Sequence, residues 1–124
     1  MHDKQPEVRY EAMAPVLDVP DVSAAIAFYR DRLEFAVVHT ADDPPVYAVL
    51  RRDGVSLHLA RAERAGGGFY LSVRGVDALY EQLRRAGVTI GRPIEDAPYG
   101  MRDFTIQDPA GNGIQIGEPV RARP

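Results

Sequence analysis

The chain reads as one pattern written twice. Val22, Ala25, Ile26, Tyr29 and Leu33 fall at i, i+3, i+4, i+7 and i+11, the apolar stripe of a helix over about Val22 to Leu33. Val76, Leu79, Tyr80 and Leu83 repeat that spacing 54 residues later, in a helix over about Val76 to Ala86. Asp21 stands where the first helix needs an N-cap and Gly87 where the second needs a stop. Val19-x-x-Val22 matches Val73-x-x-Val76 at the same offset, and Leu57-His58-Leu59 matches Ile114-Gln115-Ile116 at offset 57. The three extra residues fit the longer second turn, Asp108-Pro109-Ala110-Gly111-Asn112 against Asp53-Gly54.

Short apolar runs complete each copy as strands. Met13 to Val19, Phe35 to His39, Tyr47 to Leu50 and Val55 to Leu59 belong to the first, and Phe69 to Val73, Val88 to Ile90, Met101 to Ile106 and Gly113 to Ile116 to the second. The order β-α-β-β-β, twice, predicts an α+β fold of two tandem modules, residues 11–62 and 67–118. Residues 1–10 are read as a polar N-terminal tail and residues 119–124 as a C-terminal tail. A half-sized module cannot bury a sheet face alone, so the modules are expected to form a curved mixed sheet around a cleft, within one chain or between two. The linker Arg61 to Gly68 ends in three glycines and suits a hinge or an exchanged dimer.

At 124 residues the chain is a single domain, large enough for one core without staples. It has no cysteine, which excludes disulfides, thiolate nucleophiles and thiolate-held metals. The net charge of −3 and the lack of a clustered basic stretch argue against nucleic acid. No apolar run spans a membrane or forms a secretion core, so a cytoplasmic protein is expected. Residues 1–62 carry 7 basic and 10 acidic side chains and residues 63–124 carry 8 of each, so an acidic groove would draw its charge from the first module. Gly66-Gly67-Gly68 lacks the lysine and helix of a phosphate loop, and no Ser/His/Asp spacing is recognisable.

Several stretches resemble the vicinal-oxygen-chelate superfamily of glyoxalases, extradiol dioxygenases and bleomycin-resistance proteins, the last group most. They are Pro15-Val16-Leu17, Asp21-Val22 and Phe28 through Phe35, then Val73 through Tyr80, and Tyr99-Gly100-Met101-Arg102-Asp103-Phe104 leading into Asp108 through Asn112. Together they span residues 13–118. In the superfamily's enzymes four His/Glu-type ligands lie on the first and last strands of each module. The resemblance puts those positions at Ala14, His58, Gly68 and Gln115, where a single good ligand remains.

The resemblance therefore implies non-catalytic binding of a small organic molecule of the cationic aromatic kind by a homodimer, without metal or cofactor, as in antibiotic sequestration. The group's aromatic positions fall on Tyr47, Tyr70 and Tyr99, and acids near the same loops are Asp42, Asp43, Glu95, Asp96 and Asp103. Tyrosine stands where the group tends to have tryptophan or phenylalanine. The candidate ligand-binding set is Tyr47, Tyr70, Tyr99, His58, Asp103 and Gln115.

Other readings stay open at this point. The tyrosines suit half-buried strands as well as a stacking platform, and His58 suits a hydrogen-bonded structural role. Arg102 and Asp103 face opposite ways, so one of them lines the cavity and a buried Arg–carboxylate pair would explain the other. Asp108, Gly111 and Asn112 are read as turn-forming. A metal-dependent enzyme with unrecognised ligands and a protein-interaction module with a vestigial groove are the alternative functions.

Overall fold

A computed structural model describes residues 7–120; residues 1–6 and 121–124, parts of the expected tails, lie outside the described residues. The first module contains β1 (Val16–Val19), α1 (Val22–Asp31), β2 (Ala36–Ala41), β3 (Tyr47–Arg52) and β4 (Val55–Arg61). The second contains β5 (Gly68–Ser72), α2 (Val76–Arg85), β6 (Ile90–Asp96), β7 (Met101–Gln107) and β8 (Gly113–Pro119). Each module makes a mixed four-stranded sheet, in the orders β1-β4-β3-β2 and β5-β8-β7-β6. In each, the first strand runs parallel to the last and the rest are antiparallel.

The helices form where the stripes predict, with different caps. Asp21 adopts extended backbone and its Oδ1 accepts the Ala24 N–H at 3.0 Å. The α2 N-cap is Gly75, in the left-handed region at φ 86°, which has no side chain to offer. Glu118 on β8 supplies the acceptor instead, taking the Val76 N–H at 3.1 Å.

Alternation along the strands sets the two faces of each sheet. Leu17, Val19, Ala48, Leu50, Leu57 and Leu59 are buried beneath α1, and Phe104, Ile106, Ile114 and Ile116 beneath α2. One core cluster runs through both modules. The residues between them, at the opposite parity, point to the open face of each sheet.

Two bolts join the modules. The fully buried Tyr29 of α1 donates its hydroxyl to Asp108 Oδ2 at 2.9 Å. Asp108 Oδ1 accepts the backbone N–H groups of Ala110 and Asn112, and the Asn112 amide reaches across to the Asp18 carbonyl of β1 at 3.1 Å. The turn is therefore also a cross-link. The linker is pinned as well: Gly66 exchanges backbone hydrogen bonds of 2.8 and 3.1 Å with Asp18. That corrects the expectation of a pliant hinge, because glycines that pair with a strand edge lose the freedom their composition implies.

Two strands depart from expectation. β1 begins at Val16 rather than Met13, since Met13 is exposed and, among the described residues, no backbone hydrogen bond reaches residues 7–14. β6 covers Ile90–Asp96, whereas the sequence places it at Val88 to Ile90. Pro93 and the acidic pair after it read as loop, but β6 is an edge strand bonded to β7 alone, with two register shifts, and such an edge tolerates proline and charge.

Candidate ligand-binding site

The register of the second sheet sets one row of side chains across its open face: Tyr70 opposite Gln115, Gln115 opposite Thr105, and Thr105 opposite Arg92. The next row runs Ser72, Gly117, Asp103 and Glu95. The Tyr70 side chain crosses from its own row to the next, donating its hydroxyl to Asp103 Oδ2 at 2.9 Å. It can do so because Gly117 lies in the path: a Cβ there would sit 2.2 Å from the Tyr70 oxygen and 2.5 Å from Asp103 Cβ.

Tyr99 reaches the same oxygen from the turn between β6 and β7, donating at 2.6 Å. Gly100, at φ 85°, and the Gly100 N–H to Ala97 carbonyl bond shape that turn. Arg92 closes the other side, pairing through Nη2 with Asp103 Oδ1 and through Nη1 with the Asp103 carbonyl at 3.2 Å and Glu95 Oε1 at 3.0 Å. Asp103 is completely buried beneath these partners.

Burial works against ionisation of Asp103, but hydrogen bonds from Tyr99, Arg92 and Tyr70 outweigh it and hold the carboxyl below the ordinary carboxylate range. In return, burial and then the bond to Asp103 push the Tyr70 hydroxyl up to about 12. The Tyr99 hydroxyl rises too, chiefly through its bond to the same carboxylate. With both phenols neutral, Arg92, Asp103 and Glu95 leave the cluster one negative charge.

Of the sequence candidates, Tyr70, Tyr99 and Asp103 meet in one cluster, and Gln115 stands beside Tyr70 with its side chain exposed. Tyr47 and His58 lie on the open face of the first sheet, where the Tyr47 hydroxyl bonds His58 Nδ1 at 2.7 Å and the rings meet edge to face. That bond satisfies Nδ1. Asp42 and Asp43 stay exposed in the β2–β3 turn. Asp96 lies across from Arg102, whose guanidinium also grips Asp77 at the start of α2. The buried carboxylate thus takes Arg92 as partner, not the adjacent Arg102. The acids gathered around the tyrosines come from the second module, contrary to the charge count, because the first module's surplus is dispersed over exposed positions such as Asp21, Asp31, Asp42 and Asp53.

Arg92 and Gly117 escaped the sequence reading. A glycine inside an apolar strand does signal close approach. Arg92 sits in a stretch with no strand periodicity and left no comparable mark.

A cleft of 510 Å³ adjoins Tyr70, where β5 meets the starts of β1 and β4; Ala14, Phe35, Val55, Leu57, Phe69 and Tyr70 are among its walls. Its size suits a small organic molecule. The ladders also test the metal positions. Val16 pairs with His58 as Tyr70 pairs with Gln115, so Ala14 and Gly68, two residues upstream on the same faces, are equivalent. Position 68 cannot hold a side chain without movement, since a Cβ there would meet the Gly113 carbonyl oxygen at 2.8 Å. Among the described residues, no three His, Cys, Asp or Glu side chains converge as a metal site.

The Glyoxalase/Bleomycin resistance protein/Dioxygenase superfamily matches this sequence over residues 15–116. The chain belongs to that superfamily. A bleomycin resistance protein of Geobacillus stearothermophilus is 27% identical, covering 87% of this chain and 96% of its own. The bleomycin-binding protein of Streptomyces verticillus, solved with copper(II)-bleomycin, is 29% identical at a TM-score of 0.78, covering 92% of this chain and all of its own. A lactoylglutathione lyase from Agrobacterium tumefaciens shares the fold at a TM-score of 0.76 and 24% identity, over 90% of this chain and 96% of its own. No helix among the described residues is long and apolar enough to cross a membrane.

Proposed function

We infer that this superfamily member binds a small, planar, cationic organic molecule without transforming it. The observation that carries the reading is the Tyr70–Asp103–Tyr99 cluster, which gathers two partly exposed tyrosines around a net negative charge on an open sheet face. Rings and residual charge attract a flat cation through stacking and cation–π contact, and neither needs chemistry from the protein. The Streptomyces and Geobacillus relatives, named for bleomycin binding and resistance, support an antibiotic of that kind as the ligand. The side chains at positions 14, 58, 68 and 115 argue against a superfamily-type metal centre.

A homodimer fits the same reading. The open face of the first sheet exposes Val16, and β2 exposes Val37 and Val38.

Titration with metal-free bleomycin tests the reading. Tyrosine fluorescence should quench saturably, and the apparent affinity should weaken as salt rises. No binding at high micromolar ligand would remove the antibiotic. About one zinc, nickel, manganese or iron per purified chain, whose removal abolished a turnover, would overturn non-catalytic binding.

A further inference from the structure

The hydroxyl hydrogens at the cluster all point one way. Tyr70 and Tyr99 both donate to Asp103 Oδ2, and among the described residues neither phenol oxygen accepts a bond. Arg92 commits Nη1 to Glu95 and the Asp103 carbonyl, and donates from Nη2 to Asp103 Oδ1. The unused acceptor capacity of two partly exposed tyrosines is therefore what the cluster offers a ligand. A phenol that donates to a carboxylate becomes a stronger acceptor, since chained hydrogen bonds polarise one another. Gly117 is the condition for this arrangement, because any side chain there collides with the Tyr70 oxygen.

We propose that Gly117 makes the Tyr70–Asp103–Tyr99 cluster an acceptor clamp that selects planar cations bearing N–H donors over planar cations of equal charge without them. The inference rests on the binding function argued above and specifies the ligand class for that site. Gly117 acts as a positioning residue, while the two phenol oxygens make the contact. Stacking and net charge favour both kinds of cation alike, so selectivity isolates the hydrogen bonds.

The test compares benzamidinium, a flat cation with N–H donors, with phenyltrimethylammonium, which has none, by calorimetric titration of the full chain. The wild type should prefer benzamidinium by about tenfold, the worth of a charge-assisted hydrogen bond. In Gly117→Ala that preference should fall to about twofold or less. Ultraviolet titration should show the tyrosine that ionises near 12 in the wild type returning toward 10 in the variant.

If Gly117→Ala does not fold, Tyr70→Phe keeps the ring, removes one acceptor and should lose most of the preference. Equal wild-type affinity for the two cations would overturn the acceptor clamp while leaving aromatic-cation binding intact. Binding of neither cation at millimolar concentration would overturn both. Full selectivity retained in Tyr70→Phe would refute the part given to Gly117.

Discussion

Replacing Asp103 by asparagine keeps the shape of the cluster and removes its charge. In the wild type the carboxylate accepts from Tyr70, Tyr99 and Arg92 while completely buried. An amide has one acceptor oxygen, so either its NH2 faces the Arg92 guanidinium or it flips and faces the phenols, which must then turn their hydrogens away. Any phenol bond that survives loses its charge assistance and one side of the cluster loses its acceptor, about 1 kcal/mol for each of the three bonds, and relief from burying a charge offsets about a third of the loss. The net expectation is about 2 kcal/mol at pH 7, roughly 8 °C in melting temperature for a chain of this length.

The pH dependence carries a sign. Asp103 has its carboxyl depressed in the folded chain, so its contribution is fully present above the unfolded carboxylate range and is lost as pH falls through the folded value. Thermal unfolding followed by circular dichroism from pH 7 to pH 3 should show the gap between wild type and Asp103→Asn closing toward the acid end. A variant as stable as the wild type at pH 7 would refute the reasoning, as would a gap that stayed constant to pH 3.

Two further predictions concern the frame. Tyr29→Phe removes one of the two donors on Asp108 Oδ2 and leaves Asn112 on the other side, so urea unfolding should show a loss of about 1.5 kcal/mol without an orphaned carboxylate. Gly68→Ala should cost about 2 kcal/mol in the same assay because its Cβ meets backbone that cannot swing aside, whereas Gly113→Ala, with nothing within 4 Å of its Cβ, should cost under about 1 kcal/mol.

Which parts were legible in the sequence follows from the range of the forces involved. The helical stripes ending at Leu33 and Leu83, the Asp21 cap and the repeat at offsets 54 and 57 are local or periodic, and they led to the two-module fold. The parity of Leu57-His58-Leu59 placed His58 on the open face, whereas for Arg102 and Asp103 it said only that they face opposite ways. β6 was misplaced because its pairing with β7, not its own composition, makes it a strand.

By itself, then, the sequence determined the module, its duplication and the alternation of faces along its periodic strands, since these depend on spacing along the chain. Only the tertiary structure decided what the outward residues do to one another. Tyr70, Arg92, Tyr99, Asp103 and Gly117 belong to four strands and a turn, and their union depends on strand order and register. Arg102, adjacent to Asp103, went to Asp77 and Asp96 on the other face, while Arg92, eleven residues away, became the carboxylate's partner. Neighbours in a strand point apart and neighbours across strands point together, so the charge and hydrogen-bond polarity of this site belong to the sheet rather than to any one stretch of sequence.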